Sequence, residues 1–258
     1  MSRRARLTLF AVAGPGFTAV LVIGLAGLPA FGHFHGVYGL VVIGTELAER
    51  HATDLVTALN FDLRAFDTLG EEFILFASVT GVVLLLRQLR GEDRRPRGGD
   101  VGEHRFAGAS EALRVISVAL LALLVALGGY VIVHGALTPG GGFQGGVVLA
   151  AGPVGALLAG RYLAVKMVTP EPVLEALDAI GAAGYALFGL GGLVFASVYL
   201  KNFLPLGIPG HLLSAGFMPL NSIAVGLEVT GGFLLIWTEF LDQALVIRSN
   251  GGKRGASA

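Results

Sequence analysis

The sequence predicts an all-α, polytopic membrane protein of about six transmembrane helices, grouped as two plus four, with both termini cytoplasmic. Three observations predict it. Hydrophobic residues make up 54% of the chain and charged residues only 14%, against roughly 25% charged in soluble domains, and the mean hydropathy is +0.75. A water-facing globule cannot hide that much apolar surface, so the bilayer is the natural solvent. Six apolar stretches also approach or exceed the ~20 residues a spanning helix needs. Finally, threading those six from a cytoplasmic N-terminus leaves only Arg50, Arg64 and Lys201 outside, and puts the other 15 of the 18 Lys and Arg residues inside. Basic residues concentrate on the cytoplasmic side of membrane proteins, so span count and orientation support one another.

The predicted spans are residues 7–31, 68–86, 112–133, 143–165, 174–200 and 220–241. Pro15 and Pro153 fall inside apolar runs, where membrane helices tolerate kinks. The first span has a basic start, but its apolar run is long and no A-x-A site follows, so it reads as a retained helix and not as a cleaved signal. Residues 32–67 form a long outer loop, in which 36–47 fit a short strand or a surface helix equally well. Between the second and third spans lies a charged, Gly- and Pro-containing, non-periodic segment, RQLRGEDRRPRGGDVGEHR, which reads as a flexible linker. The expected organisation is a two-span unit at 1–90, a basic cytoplasmic linker at 91–110, a four-span domain at 111–245 and a cytoplasmic tail at 246–258.

Composition also excludes chemistry. With no Cys there is no disulfide, thiolate nucleophile or Cys-ligated metal within the chain. A formal net charge of zero points to no nucleic acid or other bulk polyanion as a partner. No nucleophile elbow, paired-His metal motif or nucleotide-binding loop after a strand is present. No catalytic residue, cofactor or metal is therefore expected.

Polar groups in apolar runs carry the information, because a charge at mid-bilayer costs at least ~2.5–3.5 kcal/mol. Residues 60–72 read NFDLRAFDTLGEE. Thr68 with Glu71 fits a capping box at a helix start, and Asp62 with Arg64 fits a solvated pair. Yet Asp62, Asp67, Glu71 and Glu72 place four carboxylates at one membrane entrance, more than a cap needs. A cation-collecting mouth is the functional reading, and both stand open. Residues 134–146 read HGALTPGGGFQGG. Pro139, Gly140, Gly141, Gly142, Phe143, Gln144, Gly145 and Gly146 exceed what a turn requires. They indicate very close backbone contact or a re-entrant piece lining an aqueous path. His134, at the span end, fits a titrating group or a polar rim residue. Glu228 lies about 12 Å into the last span at 1.5 Å per residue, with no basic residue of its own helix within a turn. It must be protonated, paired across helices or facing water, and an intramembrane acid is a functional candidate by default. Five glycines in span five (181, 184, 189, 191 and 192) form a packing face toward the chain itself or toward a partner.

Two stretches resemble known subunits. HGALTPGGGFQGGVVLAAG, within a four-span unit, is similar to the MnhB (MrpB) subunit of Mrp-type multisubunit Na+/H+ antiporters, a resemblance covering roughly 115–240. TDLVTALNFDLRAFDTLGEEFILFASVTGVVLLL resembles the C-terminal part of the MrpA subunit, a segment that is a separate small subunit (MbhE-like) in related membrane-bound hydrogenases. The large antiporter-like subunit, with its intramembrane Lys and Glu, is absent from this chain. The resemblance therefore implies an accessory, multi-pass plasma-membrane subunit that works with other membrane subunits in the bilayer, in exchange of Na+ or another monovalent cation for H+. It favours ion passage for the acidic mouth of Asp62, Asp67, Glu71 and Glu72, with Arg64, His134 and Glu228 as further candidates along an ion pathway, and a structural role at a subunit contact for the Gly-rich turn. The alternative it implies is a membrane-arm subunit of a redox-driven ion pump.

Overall fold

The computed structural model describes residues 3–28, 36–86, 110–159, 165 and 169–255. Every element among them is helical, with no strand. In order they are α1 (Arg3–Ala26), α2 (Val37–Arg50), α3 (Leu55–Ala58), a π-helical turn (Leu59–Leu63), α4 (Ala65–Leu86), α5 (Glu111–Val133), α6 (Gly142–Leu158), α7 (Glu171–Ala196) and α8 (Met218–Gly255). The chain is an all-α, multi-pass membrane protein. Four helices are long and apolar enough to cross a membrane: α4, α5, α7 and the Met218–Leu241 part of α8. Two shorter apolar helices, Phe10–Ala26 and Gly142–Leu158, complete the six stretches. At 1.5 Å per residue α6 is about 26 Å long, close to the ~30 Å of the hydrocarbon core.

The chain falls into two compact units, Met1–Leu40 and Val41–Ala258. Within the second unit α4 packs on α7 and α8. The first unit carries α1, which exposes Phe10, Phe17, Val20 and Ile23. Such a surface belongs in lipid or against another protein.

In the second unit α8 is the hub. Of its spanning window 67% is buried, against 11–28% for α4, α5 and α7. Glycine makes this possible. With lipid outside there is no hydrophobic drive between helices, and small residues let backbones approach closely. A β-carbon on Gly128 would stand 2.7 Å from Leu149, and one on Gly145 would stand 2.8 Å from Ile132 N, which sets α5 antiparallel to α6. Gly146 meets Val229 and Gly226, setting α6 parallel to α8. Gly181 meets Glu228, while Gly231 meets Leu174 and Asp178, setting α7 antiparallel to α8.

Several expectations change in detail. Residues 36–47 are helical, within α2. The fifth helix stops at Ala196, not at Leu200, because Ser197 turns left-handed at φ 60°. The sixth continues past the predicted tail boundary to Gly255. The linker at 91–110 lies outside the described residues, apart from Ser110, which N-caps α5 by accepting from Leu113 N at 3.2 Å.

Candidate functional site: a buried acid pair beneath a cavity

The entrance to α4 is built from residues 51–65. Asp54 N-caps α3, accepting from the amides of Val56 and Thr57, as an Asp at this position does to satisfy free N–H groups. The Thr57 hydroxyl lies 2.8 Å from Asp54 Oδ2 and 2.5 Å from the carbonyl of Gly135. The amides of Thr53 and Asp54 donate to the Ala136 carbonyl, each at 3.2 Å, and the Thr53 hydroxyl donates to Leu137 O at 2.7 Å. These bonds clamp the acidic segment onto the start of the Gly-rich turn. Sequence reasoning placed the two motifs in separate loops; the structure makes them neighbours.

The capping box is not formed. α4 begins at Ala65, three residues before Thr68, and the amides of Asp67 and Thr68 already reach Arg64 O at 3.0 and 3.4 Å. No free amide is left for Thr68 to cap. Its buried side chain lies instead beside the Tyr185 hydroxyl, which donates to Ala65 O at 3.0 Å. Nor do Asp62 and Arg64 pair. Asp62 pairs with Arg50 of α2, and Arg64 Nε donates to Asp67 at 2.7 Å. The π-helical turn separates neighbours two apart, which do not face one another on a helix. Two of the four mouth carboxylates are thus matched by guanidinium groups. Glu71 is exposed and Glu72 is buried.

A cavity of about 260 Å³ lies between the two motifs. Thr57, Asn60, Thr68, Glu71 and Glu72 line one side, and residues 140–144 with Val225 line the other. Gly141, at φ +123°, occupies backbone space an L side chain rarely adopts. Gly142 packs on Ser222, Val225 and Gly226 of α8 so closely that any β-carbon there collides. Phe143 is exposed and meets Phe233 edge-on at 6.4 Å. Pro139 is exposed. His134 is not part of this cavity lining; its ring stacks on Tyr130 at 3.9 Å.

Below the cavity the carboxyl of Glu72 meets that of Glu228 at proton-sharing distance. Apart from this contact, both Glu228 oxygens and Glu72 Oε2 are buried with no hydrogen-bond partner among the described residues. Glu228 is 0% and Glu72 4% exposed, so both carboxyls are largely stripped of solvation, and Glu72 alone of the two lines the cavity. Two carboxylates in contact with no cation between them cannot both remain charged, since the interior strengthens their repulsion and burial removes their solvation. The pair is chemically complete only with a proton or a cation in it.

Sequence reasoning missed two members of this constellation. Asp178 of α7 is 3% exposed, its Oδ1 lacks a hydrogen-bond partner, and its charge is felt at Glu228. Gly231 and Gly232 bring α8 against it, one helical turn on from Glu228. An acid inside the apolar run LEALDAIGAAGY was the available signal. Asn221 is fully buried with both amide atoms unpartnered. It lies seven residues before Glu228, and Glu239 follows eleven residues after, so all three share one stripe of α8 at 100° per residue.

In α2, Glu46 is buried, and burial pushes its carboxyl above the ordinary value. Asp62 adds to that rise and Arg50 opposes it.

Comparison with known proteins follows the same architecture. A family model described as a domain related to the MnhB subunit of Na+/H+ antiporter matches residues 112–235. An uncharacterized protein of Methanocaldococcus jannaschii is 31% identical over 191 residues, covering 69% of this chain and 72% of its own length. Among solved structures, a chain of the membrane-bound sulfane sulfur reductase, an archaeal respiratory membrane complex, superposes with TM-score 0.67 at 28% identity. That match covers 95% of this chain and 99% of that one. A chain of the Mrp complex from Dietzia sp. DQ12-45-1b shares the fold with TM-score 0.67 at 24% identity, over 93% of this chain but only 26% of that longer one.

Proposed function

This chain belongs to the family of the domain related to the MnhB subunit of Na+/H+ antiporters, and from that premise we propose that it is an accessory plasma-membrane subunit of a multisubunit monovalent cation/proton antiporter. The observation that carries the ion-passage part is the buried Glu72–Glu228 contact at the floor of the outer cavity. The acidic mouth attracts cations. The cavity brings them, with water, to Glu72. One proton or one monovalent cation between the two carboxyls removes one of their two negative charges and with it their mutual repulsion, and exchanging one for the other is the elementary act an antiporter requires. Asp178, one turn further along, is the next acceptor toward the cytoplasm. The reading keeps six spans and both termini inside, which the Lys and Arg distribution supports.

The test uses everted vesicles carrying the whole complex, with cation-driven proton release followed by a pH-sensitive dye. Glu228→Gln and Glu72→Gln should each lower exchange by roughly a hundredfold at normal complex abundance. Unchanged exchange in both variants would falsify a role in ion passage and leave an assembly role.

A second reading is a membrane-arm subunit of a redox-driven ion pump. Its support is specific: the sulfane sulfur reductase chain matches this one from end to end, whereas the Mrp chain is matched over about a quarter of its length. Purifying the tagged chain in mild detergent separates the two. Co-purifying subunits with iron–sulfur absorbance favour the pump; their absence from an otherwise intact complex favours the antiporter.

A further inference from the structure

A second cavity lies at the opposite end of the bundle from the acid pair's outer mouth. Its volume is about 620 Å³, and its lining is almost wholly apolar: Val118 and Leu121 of α5, Pro153 of α6, Leu174 and Leu177 of α7, and Leu234 of α8 among others. It exists because α5 and α7 share no packed interface, while both neighbour the α6–α8 pair. The gap between them is floored by α6 and α8. Val165 and Thr169 bound it near the start of α7, the end that the Lys and Arg distribution assigns to the cytoplasm.

Among the described residues, Arg114 is a cationic group at this end. It stands four residues before Val118 and seven before Leu121, so it continues the lining face of α5 by helical periodicity. Its Nε is buried and has no hydrogen-bond partner among the described residues. A guanidinium carries five N–H donors in a planar fork suited to phosphate, and the buried Nε–H of this one lacks an acceptor.

We propose that this groove binds one anionic glycerophospholipid of the inner leaflet, its phosphate on Arg114 and an acyl chain between α5 and α7. Each part of the ligand answers one feature: the chain fills an apolar gap that opens at membrane depth, and the phosphate supplies the missing acceptor. A basic pocket between spans on the cytoplasmic side is a recurrent form of anionic-lipid site. A bound chain would also join α5 to α7, which among the described residues are held together chiefly through α6 and α8.

The experiment uses the complex purified through the tagged chain in mild detergent, with tightly held lipid quantified by mass spectrometry. Wild type should retain about one anionic phospholipid per complex. Arg114→Gln should lower that amount by about fivefold, the effect of one basic residue at an anionic surface, and Arg114→Lys should restore most of it. A photoreactive residue at Leu121 gives a readout that does not depend on affinity. Cross-linking to phospholipid supports the site. Cross-linking to another polypeptide, or equal anionic lipid in wild type and Arg114→Gln, overturns it.

Discussion

Gly181 of α7 lies directly against Glu228 of α8: a β-carbon at 181 would stand 2.5 Å from the Glu228 amide nitrogen and 2.6 Å from its β-carbon. The residue that lets α7 approach is thus also the residue that seats the mid-membrane acid. Gly181→Ala should force the two helices apart, at the ~1–3 kcal/mol typical of overpacking. The expected outcome is a lower melting temperature in detergent, with lost exchange activity even where the complex assembles. Gly184→Ala is the control, because the nearest atom to a β-carbon there, Ala224 Cβ, is 3.3 Å away. It should be much milder. Equal effects of the two would show that contact with Glu228 is not the critical feature.

Glu72 and Glu228 share one buried contact, so their substitutions should not add. Groups that act as a unit lose nearly everything on the first deletion. Glu72→Gln and Glu228→Gln are each expected to lower exchange by roughly a hundredfold, the lower end of what a positioned proton carrier contributes. The double variant should be scarcely worse than either. Multiplying effects, measured at matched complex abundance in everted vesicles, would mean two independent sites.

The Gly-rich turn makes a sharper steric prediction. Gly142 abuts Ser222, Val225 and Gly226, whereas Gly155, on the same helix, has nothing within 4 Å. Gly142→Ala should destabilise α6–α8 packing and reduce recoverable complex. Gly155→Ala should be neutral, or stabilise by up to ~1 kcal/mol through helix propensity. Thermal melts of the two purified variants check the contrast.

The spanning helices were legible because a membrane imposes a length and an apolarity that a sequence displays directly. Their exact ends were less so. The apolar run past Ala196 continues unbroken to Leu200, and only backbone geometry at Ser197 ends the helix. Glu228 stood out because it is alone in its run. Its partner did not, since Glu72 looks like one acid among four until α4 is laid on α8. Asp178 was overlooked for the opposite reason: it lies near a span end, where a charge costs little if solvated, and burial by Gly231 and Gly232 is a tertiary fact. The acid mouth and the Gly-rich turn were each visible, but their meeting depends on hydrogen bonds between residues 53–57 and 135–137 that no local pattern encodes.

Asn202 organises the segment between α7 and α8. Its Nδ2 donates to Ala215 O at 2.9 Å, and its Oδ1 accepts from Leu204 N at 3.3 Å and Phe217 N at 3.2 Å. Ala215 and Gly216 both have positive φ, so these bonds hold a backbone conformation that is unfavourable by itself at Ala215. Asn202→Ala leaves all three groups without this partner and should cost ~1–3 kcal/mol. Asn202→Asp keeps the acceptor and loses the donor, so it should fall between. Melting temperatures in the order wild type, Asp, Ala are the expected result.

Glu46 gives a pH dependence whose sign can be worked out. Burial raises its carboxyl above the ordinary value, Asp62 and, least of all, Glu49 add to the rise, and Arg50 opposes it. A group whose pKa is higher in the folded than in the unfolded state binds its proton more tightly when folded. Its contribution is therefore fully present below the unfolded value and is lost as pH rises through the folded one. Wild type should accordingly lose stability on going upward from the ordinary carboxylate range, as the buried Glu46 is forced to ionise beside Asp62. Glu46→Gln removes the titration and should flatten that part of the profile, with the two proteins diverging at the higher pH. Melting temperature against pH for both checks it, and a wild-type profile that rises over the same interval while the variant stays flat would reverse the assignment.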